Sequence, residues 1–141
     1  MGSEVTRAHL DAESENRFAR LGRELGLSAF GFNVITLEPR QRLRIHVHVD
    51  QEEVYAVLEG ALTLVVEGEE TTYATGDVVR VPPPVKRQIV NRGPDRLRLI
   101  AVGGSGEHER WDATAYRSWD DDDEGGDPRE IPFPEDLPAD E

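Results

Sequence analysis

An all-β domain, built as an antiparallel sandwich or closed barrel, is the fold class the sequence predicts, and three observations carry it. Between Ala29 and Gly103, short apolar runs of strand length follow one another closely. Turn signals separate them: Glu38-Pro39, Gly60, Gly68, Gly76-Asp77, Pro82-Pro83-Pro84 and Gly93-Pro94. No helical period interrupts the series, so the long crossovers that parallel strands need have no room.

Taken in order, residues 11–25 read as a helix. Asp11 or Ser14 can cap it, Phe18, Leu21 and Leu25 fall on one side, and Gly26 stands where a helix stops. Strands are expected over 31–37, 43–49, 53–59, 62–67, 70–74, 78–82, 87–91 and 96–102. Asn91 begins Asn-Arg-Gly-Pro, which is turn chemistry. Past the last strand, 107–119 brings Trp111, Tyr116 and Trp119, enough apolar area to dock on a barrel. The expected organisation is an N-terminal helical segment over 1–28, the barrel over 29–106, an aromatic docking segment over 107–119 and an acidic, Pro-rich tail over 120–141. That tail reads as a solvated arm, with Ile131 and Phe133 as its candidate anchors.

At 141 residues, with 37% hydrophobic and 32% charged side chains, the chain supports one core and not two. Its net charge of -13 is unevenly placed: residues 118–141 hold eleven acids and one base. The remainder is nearly balanced, and no cluster of Lys and Arg offers a face for nucleic-acid phosphates. Cysteine is absent, so disulfide and thiolate chemistry are excluded. No apolar run approaches the roughly 18 residues of a membrane span, and the N-terminus lacks the apolar core of a secretory signal. A cytoplasmic protein without membrane or nucleic-acid partners is the expectation.

The chemistry concentrates in Arg42-Leu43-Arg44-Ile45-His46-Val47-His48-Val49. Strict alternation puts Arg42, Arg44, His46 and His48 on one face and the aliphatic residues on the other. Two histidines two apart on a strand aim both imidazoles at one point, and a turn through Asp50-Gln51-Glu52 returns Glu53 beside His48. Two imidazoles and a carboxylate form a facial set with open positions for substrate or water. The competing reading is a chance His-x-His on a half-buried strand with a solvated Glu53. The aliphatic face needs cover, from the helix, from 111–119 or from a second copy in a two-fold dimer.

His46-x-His48-x4-Glu53-x6-Gly60 resembles the first motif of the cupin superfamily with every signature position filled. Gly76-x5-Pro82-x-Pro84-x2-Arg87-x3-Asn91 is similar to the second, with two departures. Pro84 stands where the family often has Gly, and Arg87 where it usually has His. The resemblance implies a double-stranded β-helix (jelly-roll) barrel, frequent homodimerisation, and His46, His48 and Glu53 as ligands of a divalent Fe, Mn, Zn or Ni. It does not select a reaction, because cupins include dioxygenases, sugar isomerases and non-catalytic binding proteins.

Arg87 is the position on which the function turns. A guanidinium offers only donors and cannot ligate a cation. At about 5 Å from a dication it would be repelled by roughly 6–7 kcal/mol at an effective dielectric near 20. Three outcomes are open: Arg87 swings aside, it pairs with an anionic substrate beside the metal, or it pairs with Glu53 and replaces the metal. Arg87, Tyr55 and Arg44 are accordingly the candidate substrate-binding residues. Two functions follow. One is a metal-dependent oxidoreductase or isomerase of a small anionic molecule; the other is a metal-free binding or sensing module.

Overall fold

A computed structural model describes residues 4–104 and 112–139. Its elements in chain order are β1 (Phe18–Ala19), α1 (Leu21–Leu25), β2 (Gly31–Leu37), β3 (Ile45–His48), β4 (Glu52–Glu59) and β5 (Leu62–Val66). They continue with β6 (Glu69–Tyr73), β7 (Val78–Val81), β8 (Arg87–Val90), β9 (Leu97–Gly104) and β10 (Ala113–Tyr116). Two five-stranded antiparallel sheets result, ordered β1-β2-β9-β4-β7 and β10-β3-β8-β5-β6. The eight strands expected from the turn signals are β2 to β9. Among the described residues no helix is long and apolar enough to cross a membrane.

Alternation explains the core. On β4, Glu53, Tyr55 and Val57 are buried while their neighbours are more exposed. Leu97, Leu99 and Ala101 of β9, Leu62 and Leu64 of β5 and Ile89 of β8 join Tyr55 and Val57 in one cluster between the sheets. Gly60 has φ 76°, and a Cβ there would collide with the carbonyl oxygen of Arg96. Only glycine lets the β4–β5 turn pass beneath the start of β9.

Three expectations need correction. The helix does not span 11–25; α1 is five residues long, with Arg20 at its N-cap and Gly26, at φ 76°, ending it. Asp11, Ser14 and Asn16 each accept a bond from a backbone N–H two residues on. Such local turns compete with helix. Phe18, freed from a helix, pairs as β1 with Ile35 of β2 and packs on the core.

The second correction concerns the histidine strand. Arg42 bridges to Val90 and His46 pairs with Arg87, so four steps on one side face three on the other. The extra residue is a bulge, which reverses the facing of the side chains that precede it. Leu43 therefore joins the core cluster, whereas Arg44 leaves the histidine face. Its guanidinium instead bonds the Ile131 carbonyl and lies 4.1 Å from the Phe133 ring centre.

The third concerns the tail, which is not a free arm. Gly126 exchanges backbone bonds with Ala115, the Leu137 N–H reaches the Arg40 carbonyl, and the Arg42 guanidinium bonds the Glu135 carbonyl. Ile131 and Leu137 are buried, as is Ile45 beside the bulge. With Leu43 inside and Ile45 covered, the apolar face that argued for a second subunit shrinks to half-buried Val47 and exposed Val49. Of the aromatic segment, residues 112–119 supply β10 and part of this cover; Trp111 and His108 lie outside the described residues.

Candidate metal centre

The site forms where the two sheets face each other. His46 and His48 come from β3, and Arg87 is the direct cross-strand partner of His46, so the two side chains project to the same side. Glu53 and Tyr55 come from β4 of the opposite sheet. His46 Nε2 lies 3.5 Å from Glu53 Oε1, and His48 Nε2 lies 3.3 Å from Oε2. One ligand atom from each of the three residues falls within 4.8 Å of the other two. The imidazole centres are 5.3 Å apart with rings at 90°.

Arg87 is fully buried, and each of its nitrogens has a partner. Nε donates to the Tyr55 hydroxyl at 3.2 Å, Nη1 to the Val85 carbonyl at 2.9 Å and Nη2 to Glu53 Oε1 at 2.5 Å. The Tyr55 hydroxyl in turn donates to Glu53 Oε1. The Arg87–Glu53 pair of the third outcome is present, and the three candidate ligand residues converge beside it. Arg87 and Tyr55 thus join the site, while Arg44 stands on the far side of β3.

Protonation follows from these contacts. Burial alone would raise the Glu53 carboxyl, but the two imidazoles and the Arg87 guanidinium outweigh it and hold the group well below the usual carboxylate range. Burial lowers His46, Glu53 pulls it back, and Arg87 lowers it again, leaving a ring that is neutral near pH 7. Burial, then the Glu53 charge, pushes the Tyr55 phenol well above its ordinary value, so it is a donor and not a base.

Sequence reasoning missed Asp112. Its carboxylate accepts the backbone N–H groups of Asp50 (3.1 Å) and Gln51 (2.9 Å), tying down the β3–β4 turn that brings Glu53 back to His48. Its Oδ2 also lies 3.7 Å from His48 Nδ1, a buried nitrogen with no hydrogen-bond partner among the described residues. Asp112 lies 64 positions after His48 and carries no motif; only the tertiary fold brings it here.

The donor set fits a divalent metal. Ligands about 2.1 Å from one ion and 90–109° apart stand ~3.0–3.4 Å from each other; one atom from each of the three residues already lies within 4.8 Å of the others, and each imidazole Nε2 lies 3.3–3.5 Å from a Glu53 oxygen. The outer ring nitrogens support it too: His46 Nδ1 faces the Arg44 carbonyl at 3.4 Å and His48 Nδ1 faces Asp112. With a metal bound, each ring would turn a bare Nε2 lone pair toward the ion, and the Arg44 carbonyl and Asp112 carboxylate stand on the outer side, where they would receive an Nδ1 proton. Asp112→Asn is therefore expected to weaken metal binding by about 10–100-fold, read by competition against a chromogenic chelator. Unchanged affinity would deny Asp112 this role.

The family model described as "Cupin domain" matches residues 33–103, half of the chain. The chain belongs to the cupin family. Among solved structures, this cupin is similar to a sugar phosphate isomerase of the cupin superfamily from Silicibacter pomeroyi, with 33% identity and a TM-score of 0.61. That match covers 83% of this chain and 76% of the other. A cupin protein from Bacteroides fragilis shares the fold at 20% identity and a TM-score of 0.65, covering 76% and 90%. An uncharacterised protein of Methanocaldococcus jannaschii is 30% identical over 56 residues, which span 40% of this chain and 45% of that relative.

Proposed function

We propose that this cupin is a metal-dependent enzyme acting on a small anionic molecule, and that its reaction is isomerisation of a phosphorylated sugar. The convergence of His46, His48 and Glu53 carries the reading, and it is supported by the likeness to the Silicibacter protein of that name. A bound divalent ion would polarise a substrate carbonyl or hydroxyl. The chain's own part is to present two imidazoles and one carboxylate oxygen, with Tyr55 and Arg87 fixing that carboxylate. Val78, exposed on β7 at the free edge of its sheet, supports including a homodimer in the proposal.

Elemental analysis of protein purified without chelator tests the centre. About one equivalent of transition metal per chain, lost in Glu53→Ala, is the expected result. Aldose–ketose exchange on phosphorylated sugars, abolished by chelator and restored by metal, tests the activity. Protein that stays metal-free after reconstitution would overturn the proposal.

One observation favours a second reading, a metal-free binding module. Glu53 already has a buried cationic partner in Arg87, so the site is charge-balanced without an ion. Metal-free protein whose melting temperature rises with a small metabolite would favour it.

A further inference from the structure

Arg87 has a consequence for what the centre accepts, and it rests on the metal-centre reading above. The two oxygens of Glu53 are unequal. Oε1 already receives Arg87 Nη2 and the Tyr55 hydroxyl and lies 3.5 Å from His46 Nε2, while Oε2 faces His48 Nε2 alone. Oε2 is the less committed oxygen that Glu53 would offer a metal, and the negative charge of the carboxylate is balanced by the guanidinium. The next carboxylate, Asp112, stands behind His48 with its oxygens on the Asp50 and Gln51 N–H groups. A dication held by neutral imidazoles and a neutralised carboxylate keeps most of its charge uncompensated in a buried place, where such charge is costly.

We propose that Arg87, by neutralising Glu53, makes the centre select an anionic donor as its next ligand. The substrate would coordinate through an ionised oxygen (a carboxylate, a phosphate or a deprotonated hydroxyl), and neutral hydroxyl groups alone would bind weakly. Arg87 does not touch that ligand. The side chain is fully buried and each of its nitrogens already donates inside the protein, so it acts through the charge of Glu53 as a specificity-determining positioning residue.

Azide binding to the cobalt(II)-loaded full-length protein, followed in the visible d–d bands, is the test. Arg87→Gln restores the full charge of Glu53 to the ion. It is expected to bind cobalt more tightly and azide about tenfold more weakly or worse. The Glu53→Gln/Arg87→Gln double variant removes both charges, leaving the net charge as in the wild type, and is expected to keep azide affinity within about threefold. Should Arg87→Gln fail to fold, wild type against the double variant decides. Retained azide affinity supports charge neutralisation, and its loss shows that Arg87 meets the anion directly and overturns the inference. Equal azide affinity in wild type and Arg87→Gln overturns it as well, with the metal centre intact. Wild-type protein that takes up no cobalt overturns the metal-centre reading itself.

Discussion

Arg87→Met in the metal-free protein is expected to cost about 3–5 kcal/mol of stability, the range for removing one partner of a buried ion pair. For a chain of this size that is roughly 10–20 °C in melting temperature, measurable by thermal denaturation in chelator. The loss comes less from the attraction itself than from leaving Glu53 buried and charged, with Oε1 retaining the Tyr55 hydroxyl and the more distant His46 imidazole. Glu53→Gln/Arg87→Met should therefore recover most of it. The pH dependence carries a definite sign. In the folded wild type the Glu53 carboxyl sits well below its ordinary 4.5. The stability it contributes is complete above that ordinary value and lost as pH falls through the folded one. In Arg87→Met the carboxyl loses one of the charges that hold it down while both imidazoles remain, so its folded value rises above that of the wild type and the variant gains relative stability as Glu53 protonates. The gap between the two proteins should hold steady near neutrality, narrow in acid as pH falls through the variant's folded value, and be smallest below that of the wild type. A gap independent of pH would mean that Arg87 contributes packing and not charge.

The strand series was legible because each strand has its own local signature, an apolar alternation closed by Gly or Pro. The three ligands were legible for a related reason: His46, His48 and Glu53 lie close in sequence across one short turn that links the two sheets, so local spacing goes far toward fixing their geometry. The bulge near Leu43 was not, since nothing in Arg42-Leu43-Arg44 distinguishes an even alternation from one with an added residue. The register of β8, far along the chain, decides it. Asp112 and the tail were hidden likewise, because acidic residues in a Pro-rich stretch look the same whether solvated or docked. Residues 11–25 failed differently. Helical spacing was present, but side-chain bonds at Asp11, Ser14 and Asn16 form local turns, and a free strand edge on β2 took Phe18.

Ile131→Ala should destabilise the protein by about 2–5 kcal/mol, the range for truncating a buried aliphatic side chain. For a solvated arm the same change would stay within about 0.5 kcal/mol, so a urea midpoint separates the two descriptions. Ile131 is 8% exposed, and its carbonyl takes the Arg44 guanidinium that the bulge turns away from the histidines. Phe133 lies against two guanidiniums, at 4.7 Å from Arg17 and 4.1 Å from Arg44. Burial, then the like charges of Arg20 and Arg17, lowers the Arg44 pKa, so the ring face eases a crowded group of cations. Phe133→Ala should accordingly cost about 1 kcal/mol, and less when Arg44 is also removed. The tail's anchoring thus depends on the same one-residue irregularity that shapes the centre. Between Arg42 and His46, the bulge sends Leu43 to the core and Arg44 outward to the tail, while His46 and His48 turn toward Glu53. A change that straightens this segment should loosen tail and metal centre together, although Ile131 itself touches no ligand.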